Sequence, residues 1–134
     1  MKNKLTTYEA DAAFLFRSES TGILSTVSKK VKGYPFGSLV TYVSGKSRVV
    51  FFHASDLAEH TKNFKHNSKA SLTVTKVKAK PDQQNSQRLT LMGDINRLAR
   101  SDLSECTTRF SKFFPESQQY QFMHDFNFYR LDVK

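Results

Sequence analysis

The sequence predicts a small α+β barrel, with five or six antiparallel strands in hairpin-rich order and helices set between them. Three observations carry that expectation. The chain has 134 residues, the size of a single domain and enough to bury roughly two-thirds of its unfolded surface without disulfide or metal staples. Short β-branched and aromatic runs such as Val49-Val50-Phe51-Phe52 recur along its length. Helical spacing appears in only three places, each beside a capping signal. No repeat, low-complexity tract or linker interrupts the chain, so residues 1–134 read as one domain.

The elements follow in order. Thr6-x-x-Glu9 is a capping box, and Tyr8, Ala12, Leu15 and Phe16 recur at helical spacing after it, predicting a helix to about Ser18. Residues 22–28 (GILSTVS) are β-branched, bounded by Gly and a Lys pair, and predict a strand. Residues 29–33 form a basic turn, residues 36–43 a second strand, residues 44–47 a hairpin loop, and residues 48–54 the returning strand. Asp56-x-x-Glu59 offers a second capping box, opening a helix whose face carries Leu57, His60 and Phe64. Residues 70–77 alternate as a half-exposed strand. Residues 78–86 are polar and predict a mobile loop, and residues 87–98 a long strand in which Gly93 marks a bulge or a close approach. Ser101 or Asp102 caps a helix carrying Leu103, Cys106, Phe110 and Phe113, ended by Pro115, and residues 126–133 form a terminal strand.

Charge narrows the function classes. Twenty-one basic residues against 12 acidic give +9, which implies an anionic partner without choosing among nucleic acid, an anionic surface and a small phosphate or carboxylate. Cys106 is the lone cysteine, so no internal disulfide forms and a reducing compartment is expected. The start of the chain has no apolar signal region, and the longest apolar runs are far short of a membrane span. A soluble cytoplasmic protein is the expectation, with no membrane partner. A nucleic-acid surface built from Lys29-Lys30-Val31-Lys32 and residues 76–80 is the weakest of the anionic readings and is not adopted.

No GxSxG, HExxH, P-loop or CxxC occurs. His60 and His66 are six apart on one helix, a spacing that does not align two metal ligands, so no metal site is expected. Two stretches carry chemistry. At residues 51–70 a strand runs into a helix start, where backbone N–H groups and Ser55 favour an anion and His60, Thr61 and Lys62 follow within two turns. The simpler reading of the same residues is a capped helix with a solvated basic side. At residues 33–40, Gly37 removes a side chain where something flat can lie against the strand; the simpler reading there is a kink before the hairpin.

The segments GILSTVS, KGYPFGSLVTYV, FFHASDLAEHTKNFKHNSKASLTV, QRLTLMGDINRL and DFNFYRLDV resemble the pyridoxamine 5'-phosphate oxidase-like FMN-binding split barrels. The likeness runs from about residue 10 to residue 133 and is closest to the haem-utilisation branch, with the secreted CREG-type proteins as more distant kin. The resemblance implies a six-stranded antiparallel split β-barrel with flanking helices, a homodimer, and FMN bound with its ring along Phe36, Gly37, Ser38, Leu39 and Val40. It implies phosphate binding by Ser55, His60, Thr61 and Lys62, with Asn63 close by and Arg88 a further candidate. His60 stands where flavin-binding relatives often carry Lys or Arg. The haem-utilisation relatives continue past the last strand with a histidine-bearing tail, whereas this sequence stops at Lys134, so haem breakdown by that route is not expected.

The reading that results is an FMN-binding protein acting as an oxidoreductase on a small substrate. The alternative is a haem-binding or haem-utilisation protein in which His53, His60 or His124 supplies the axial ligand.

Overall fold

The computed structural model describes residues 6–116 and 125–134. Among these residues the elements follow in the order α1 (Thr7–Ser18), β1 (Thr21–Val27), β2 (Pro35–Ser44), β3 (Val49–Ser55), α2 (Glu59–His66), β4 (Lys69–Lys76), a 3-10 turn (Gln83–Asn85), β5 (Gln87–Arg97), α3 (Arg100–Phe113) and β6 (Phe126–Val133). The strands close into an antiparallel barrel in the order β1-β2-β3-β6-β5-β4. Six strands were expected, and each boundary falls within one or two residues of the pattern that predicted it.

Alternation explains the closure. In β1, Gly22, Leu24 and Thr26 face inward, and Leu72 and Val74 of β4 and Val40 and Tyr42 of β2 meet them across the barrel. β3 is buried on both faces: Val50, Phe52 and Ala54 enter the barrel, while Val49 and Phe51 pack beneath α3 with Cys106 and Phe110. Desolvation, with Asp102 and Glu105 nearby, pushes the Cys106 thiol up to about 12. α1 sends Leu15 into the barrel core, and Phe16 stacks on Tyr42 at 5.4 Å while the Tyr42 hydroxyl donates to the Phe16 carbonyl. The Thr6–Glu9 capping box is present in both its hydrogen bonds.

β2 and β3 pair only where residues 42–44 meet 50–52, and α2 packs against β1 and β2 beside the diverging strands. Phe64 plugs this seam, in edge contact with Phe52 and Tyr129.

Two predicted caps are corrected by the structure. The Asp56–Glu59 box does not form: α2 begins at Glu59 with Ala58 as its uncapped N-cap. The Asp56 carboxylate instead accepts from Lys65 at 3.1 Å, from Asn127 and from Tyr129. Likewise neither Ser101 nor Asp102 caps α3, which starts at Arg100 after Ala99, and Asp102 accepts from Arg130 at 2.7 Å. In both cases the carboxylate is held by a cationic side chain in place of the local cap. The loop expected to be mobile holds its 3-10 turn, with Ser86 Oγ accepting from the Lys78 amide and donating to the Gln83 carbonyl. At Gly93 the register of β5 with β4 and β6 continues unbroken, so the glycine marks a close approach and not a bulge. A Cβ there would collide with the Asp132 carbonyl.

Candidate functional site

The residues predicted to bind a cofactor fall into three groups. Ser38, Ser55, His60, Thr61 and Asn63 come together where α2 meets β1, β2 and the end of β3, but their polar atoms are engaged with the protein. Ser55 Oγ donates to Asp125 at 3.0 Å and accepts from the Leu57 amide. The Thr61 hydroxyl donates to the Ser55 carbonyl at 2.6 Å. Asn63, 1% exposed, donates to the Thr26 hydroxyl and accepts from the Lys29 amide. His60 Nδ1 lies 2.9 Å from Ser38 Oγ, while its Nε2 is buried with no partner. Burial holds the His60 pKa below the ordinary histidine value, so the ring at this position is neutral near pH 7.

The second group lies on β2. Phe36 and Ser38 point toward the seam, Val40 enters the core, and Gly37 and Leu39 face outward. The third group stands apart. Lys62 is exposed and pairs with Glu59 at 3.7 Å. Arg88 sits opposite Thr75, toward the other end of β4 from the α2 junction, and donates to the Gln84 carbonyl. Among the histidines proposed as axial ligands, His53 is stacked on Phe128 at 4.4 Å with Phe126 at 5.1 Å. His124 lies outside the described residues.

A feature that sequence reasoning missed lies at the other end of α2. The β1–β2 connection is a firm turn: Ser28 donates its amide to the Tyr34 carbonyl, its hydroxyl accepts from the Val31 amide, and Gly33 adopts a φ of 84°. Asn63 ties that turn to α2 through the Lys29 amide. Beside it runs a groove made of two adjoining cavities that share Val27 and Gly33. One, of about 550 Å³, has a floor of Ser25, Val27, Pro35, Ala70, Ser71 and Met92, with Lys69, Asp94 and Lys134 at its edge. The other, of about 690 Å³, is walled by Ser28, Lys29, Lys32, His66, Asn67 and Ser68.

Four lysines thus rim an apolar and small-residue floor, against the single carboxylate of Asp94. Asp94 already accepts from Ser68 at 2.8 Å and pairs with Lys134 at 3.6 Å. The excess positive potential suits an anion, and the volumes match those of small-molecule and cofactor sites. The groove opens onto the outer face of the sheet. There two rows run across the strands, Gly37–Ser25–Ser71–Met92 and Leu39–Ile23–Thr73–Thr90, small or hydroxylated residues flanked by exposed apolar ones.

The structure is thus a closed six-stranded antiparallel barrel that carries an apolar groove with a cationic rim on its outer face. The chain belongs to the CREG β-barrel family, whose model matches residues 4–134. It is 32% identical over 113 residues to the chloroplastic non-canonical heme oxygenase HOZ of Arabidopsis thaliana, a match covering 84% of this chain and 34% of that protein. A heme binding protein from Mycobacterium smegmatis superposes with a TM-score of 0.84 at 26% identity, covering 99% of this chain and 53% of the other. The heme storage protein HutZ from Vibrio cholerae shares the fold, with a TM-score of 0.82 at 20% identity over 96% of this chain and 92% of its own. The chain therefore spans about a third of the curated relative and about half of the mycobacterial one. Among the described residues no helix is long and apolar enough to cross a membrane.

Proposed function

We propose that this protein binds haem in the groove between the residue 29–33 turn, the C-terminal end of α2 and the outer face of β1, β4 and β5. The observation that carries this reading is the pairing of an apolar floor with a lysine rim. Haem is flat and apolar apart from two propionates, so its ring would lie along Val27, Pro35 and Met92. Its propionates would meet Lys29, Lys32 and Lys69. When bound, the group supplies an iron centre; the residues of this chain supply the surface, the charge and the exclusion of water. The names of the mycobacterial and Vibrio relatives support the same ligand class.

FMN is the second reading, favoured by the outward row Gly37–Ser25–Ser71, which leaves a planar strip on which a flavin ring can rest. The phosphate arm of that reading has less support. The Ser55 and Thr61 hydroxyls bond within the protein, His60 is neutral, and Lys62 pairs with Glu59 on the solvent side.

A homodimer belongs to the same proposal. Closing the barrel joins every strand to two neighbours, so strand edges do not supply the reason for one. The exposed apolar side chains on the outer face supply it instead: Leu39 at 69%, Met92 at 67% and Ile23 at 43% exposure. A second copy seated there would cover both rows and the mouth of the groove.

Spectral titration of the purified protein with haemin, FMN and riboflavin tests the ligand. A Soret band that saturates with haemin, alongside unchanged FMN spectra, is expected; saturable FMN binding without haem binding would overturn the haem reading. Sedimentation tests the assembly. Wild type should run as twice 15.4 kDa, and Leu39→Glu with Met92→Glu should return it to the monomer mass. A monomeric wild type at micromolar concentration would remove the dimer.

A further inference from the structure

We infer that the cavity between β3, β6 and the start of α3 is a second ligand site, one that takes a small monocarboxylic acid with an aromatic or branched apolar body. The inference does not rest on the haem reading: β3 and β6 lie across the closed sheet from β4 and β1, which carry the groove. The cavity holds about 350 Å³, at the lower end of the roughly 300–1,000 Å³ of small-molecule sites. Its apolar wall is Leu98 and Leu103, from either side of the α3 start, with the rings of Phe126 and Phe128 from β6. Its polar groups are His53, Arg97 and Asn127, in the same cavity.

Two groups here are uncommitted, and that decides the ligand. Arg97, the last residue of β5, is exposed at the cavity mouth; its Nη2 donates to Asn127 Oδ1 at 2.8 Å, and among the described residues no carboxylate pairs with it. The nearest candidate, Asp56, is held beyond Asn127, whose amide donates to it, and is already paired with Lys65. Nε and Nη1 of Arg97 therefore remain for a planar two-oxygen acceptor. His53 is set by ring contacts with Phe128, Phe126 and Phe110, and among the described residues no hydrogen bond engages its nitrogens. Burial keeps this ring neutral near pH 7, so it offers one N–H donor and no second positive charge. One guanidinium and one neutral donor match a single carboxylate; a phosphate dianion would need more. The apolar wall then receives the body of the acid, as the aromatic and leucine side chains beside the two donors require.

The test titrates the full chain with phenylacetate, with phenylacetamide as the uncharged isostere and acetate as the acid without a ring. Calorimetry should show saturable phenylacetate binding, with the amide and acetate each weaker by about tenfold or more. Nuclear magnetic resonance should show the His53 ring signals shifting along the same titration while those of His66 stay in place. Arg97→Gln should weaken phenylacetate binding about ten- to a hundredfold and leave the amide unchanged. His53→Phe, which keeps the ring stack and removes the N–H, should weaken the acid about tenfold. Lys65→Gln, an exposed cation outside this cavity, should match wild type. Equal affinity for acid and amide, or an Arg97→Gln chain that binds the acid as wild type does, would overturn the assignment. So would the absence of saturable binding at millimolar phenylacetate. Haemin titration of Arg97→Gln should give the wild-type result, so this site and the groove stand or fall separately.

Discussion

The two ends of α2 behave in opposite ways. Its first half, with the strand that feeds it, holds the polar residues that the sequence marks out, and the fold consumes them. Ser55, Thr61 and Asn63 each bond to backbone or side chains across the seam, and His60 is held neutral against Ser38. Its last residue, His66, faces a groove where four lysines have one carboxylate among them. A donor next to a barrel core finds internal acceptors because an unpaired buried group costs about 1–3 kcal/mol. A cation on the rim has no such requirement and remains available to a ligand.

The contrast breaks most visibly at Asn63. Removing its amide leaves the Lys29 amide without its acceptor and the Thr26 hydroxyl with its Phe36 carbonyl partner alone, so Asn63→Ala should lose about 1–3 kcal/mol in urea unfolding and loosen the basic turn. A variant as stable as wild type would mean that the seam is not what holds α2 to β1.

The groove end should respond the other way. Lys29→Glu with Lys32→Glu is expected to weaken haemin binding about ten- to a hundredfold while changing stability by less than about 0.5 kcal/mol, as surface substitutions do. Equal affinity in the spectral titration would remove the rim from the site.

Acid sharpens the comparison further. Burial lowers the pKa of His60, and likewise of His53, below 6.5. The unfolded chain therefore binds more protons than the folded one as pH falls through that value. The contribution of these rings is fully present above pH 6.5 and is lost below it. Denaturation midpoints should fall on acidification through this window, and His60→Gln should fall less steeply. An unchanged pH profile would show that the ring titrates as if in water.

The smallest effect belongs to Lys62. Its pair with Glu59 at 3.7 Å is solvent-exposed, so Lys62→Ala should change stability by less than about 0.5 kcal/mol and leave haemin affinity at the wild-type value. A tenfold loss of FMN affinity in this variant, absent from Lys65→Ala, would instead support the flavin phosphate reading.

The strands were legible because alternation is a local, repeated signal. GILSTVS and VVFFHAS announce their faces without reference to the rest of the chain, and closure follows once every apolar face needs a partner. The helix caps were legible only where nothing distant competed. Thr6–Glu9 formed, whereas Asp56 and Asp102 were taken by Lys65 and Arg130. The candidate site was the least legible part. That Ser55, His60 and Asn63 gather near one helix could be read from the chain, but not that their polar atoms turn inward. His66 and Lys29 are separated by thirty-six residues of intervening sequence, and the turn that brings them to one wall depends on Asn63 reaching across to a backbone amide. Periodicity and charge are sums over neighbours, so the sequence by itself determined the strands, the barrel and the net positive charge of the chain. Which polar atoms are left unengaged is a property of contacts between distant segments, and that only the tertiary structure decided.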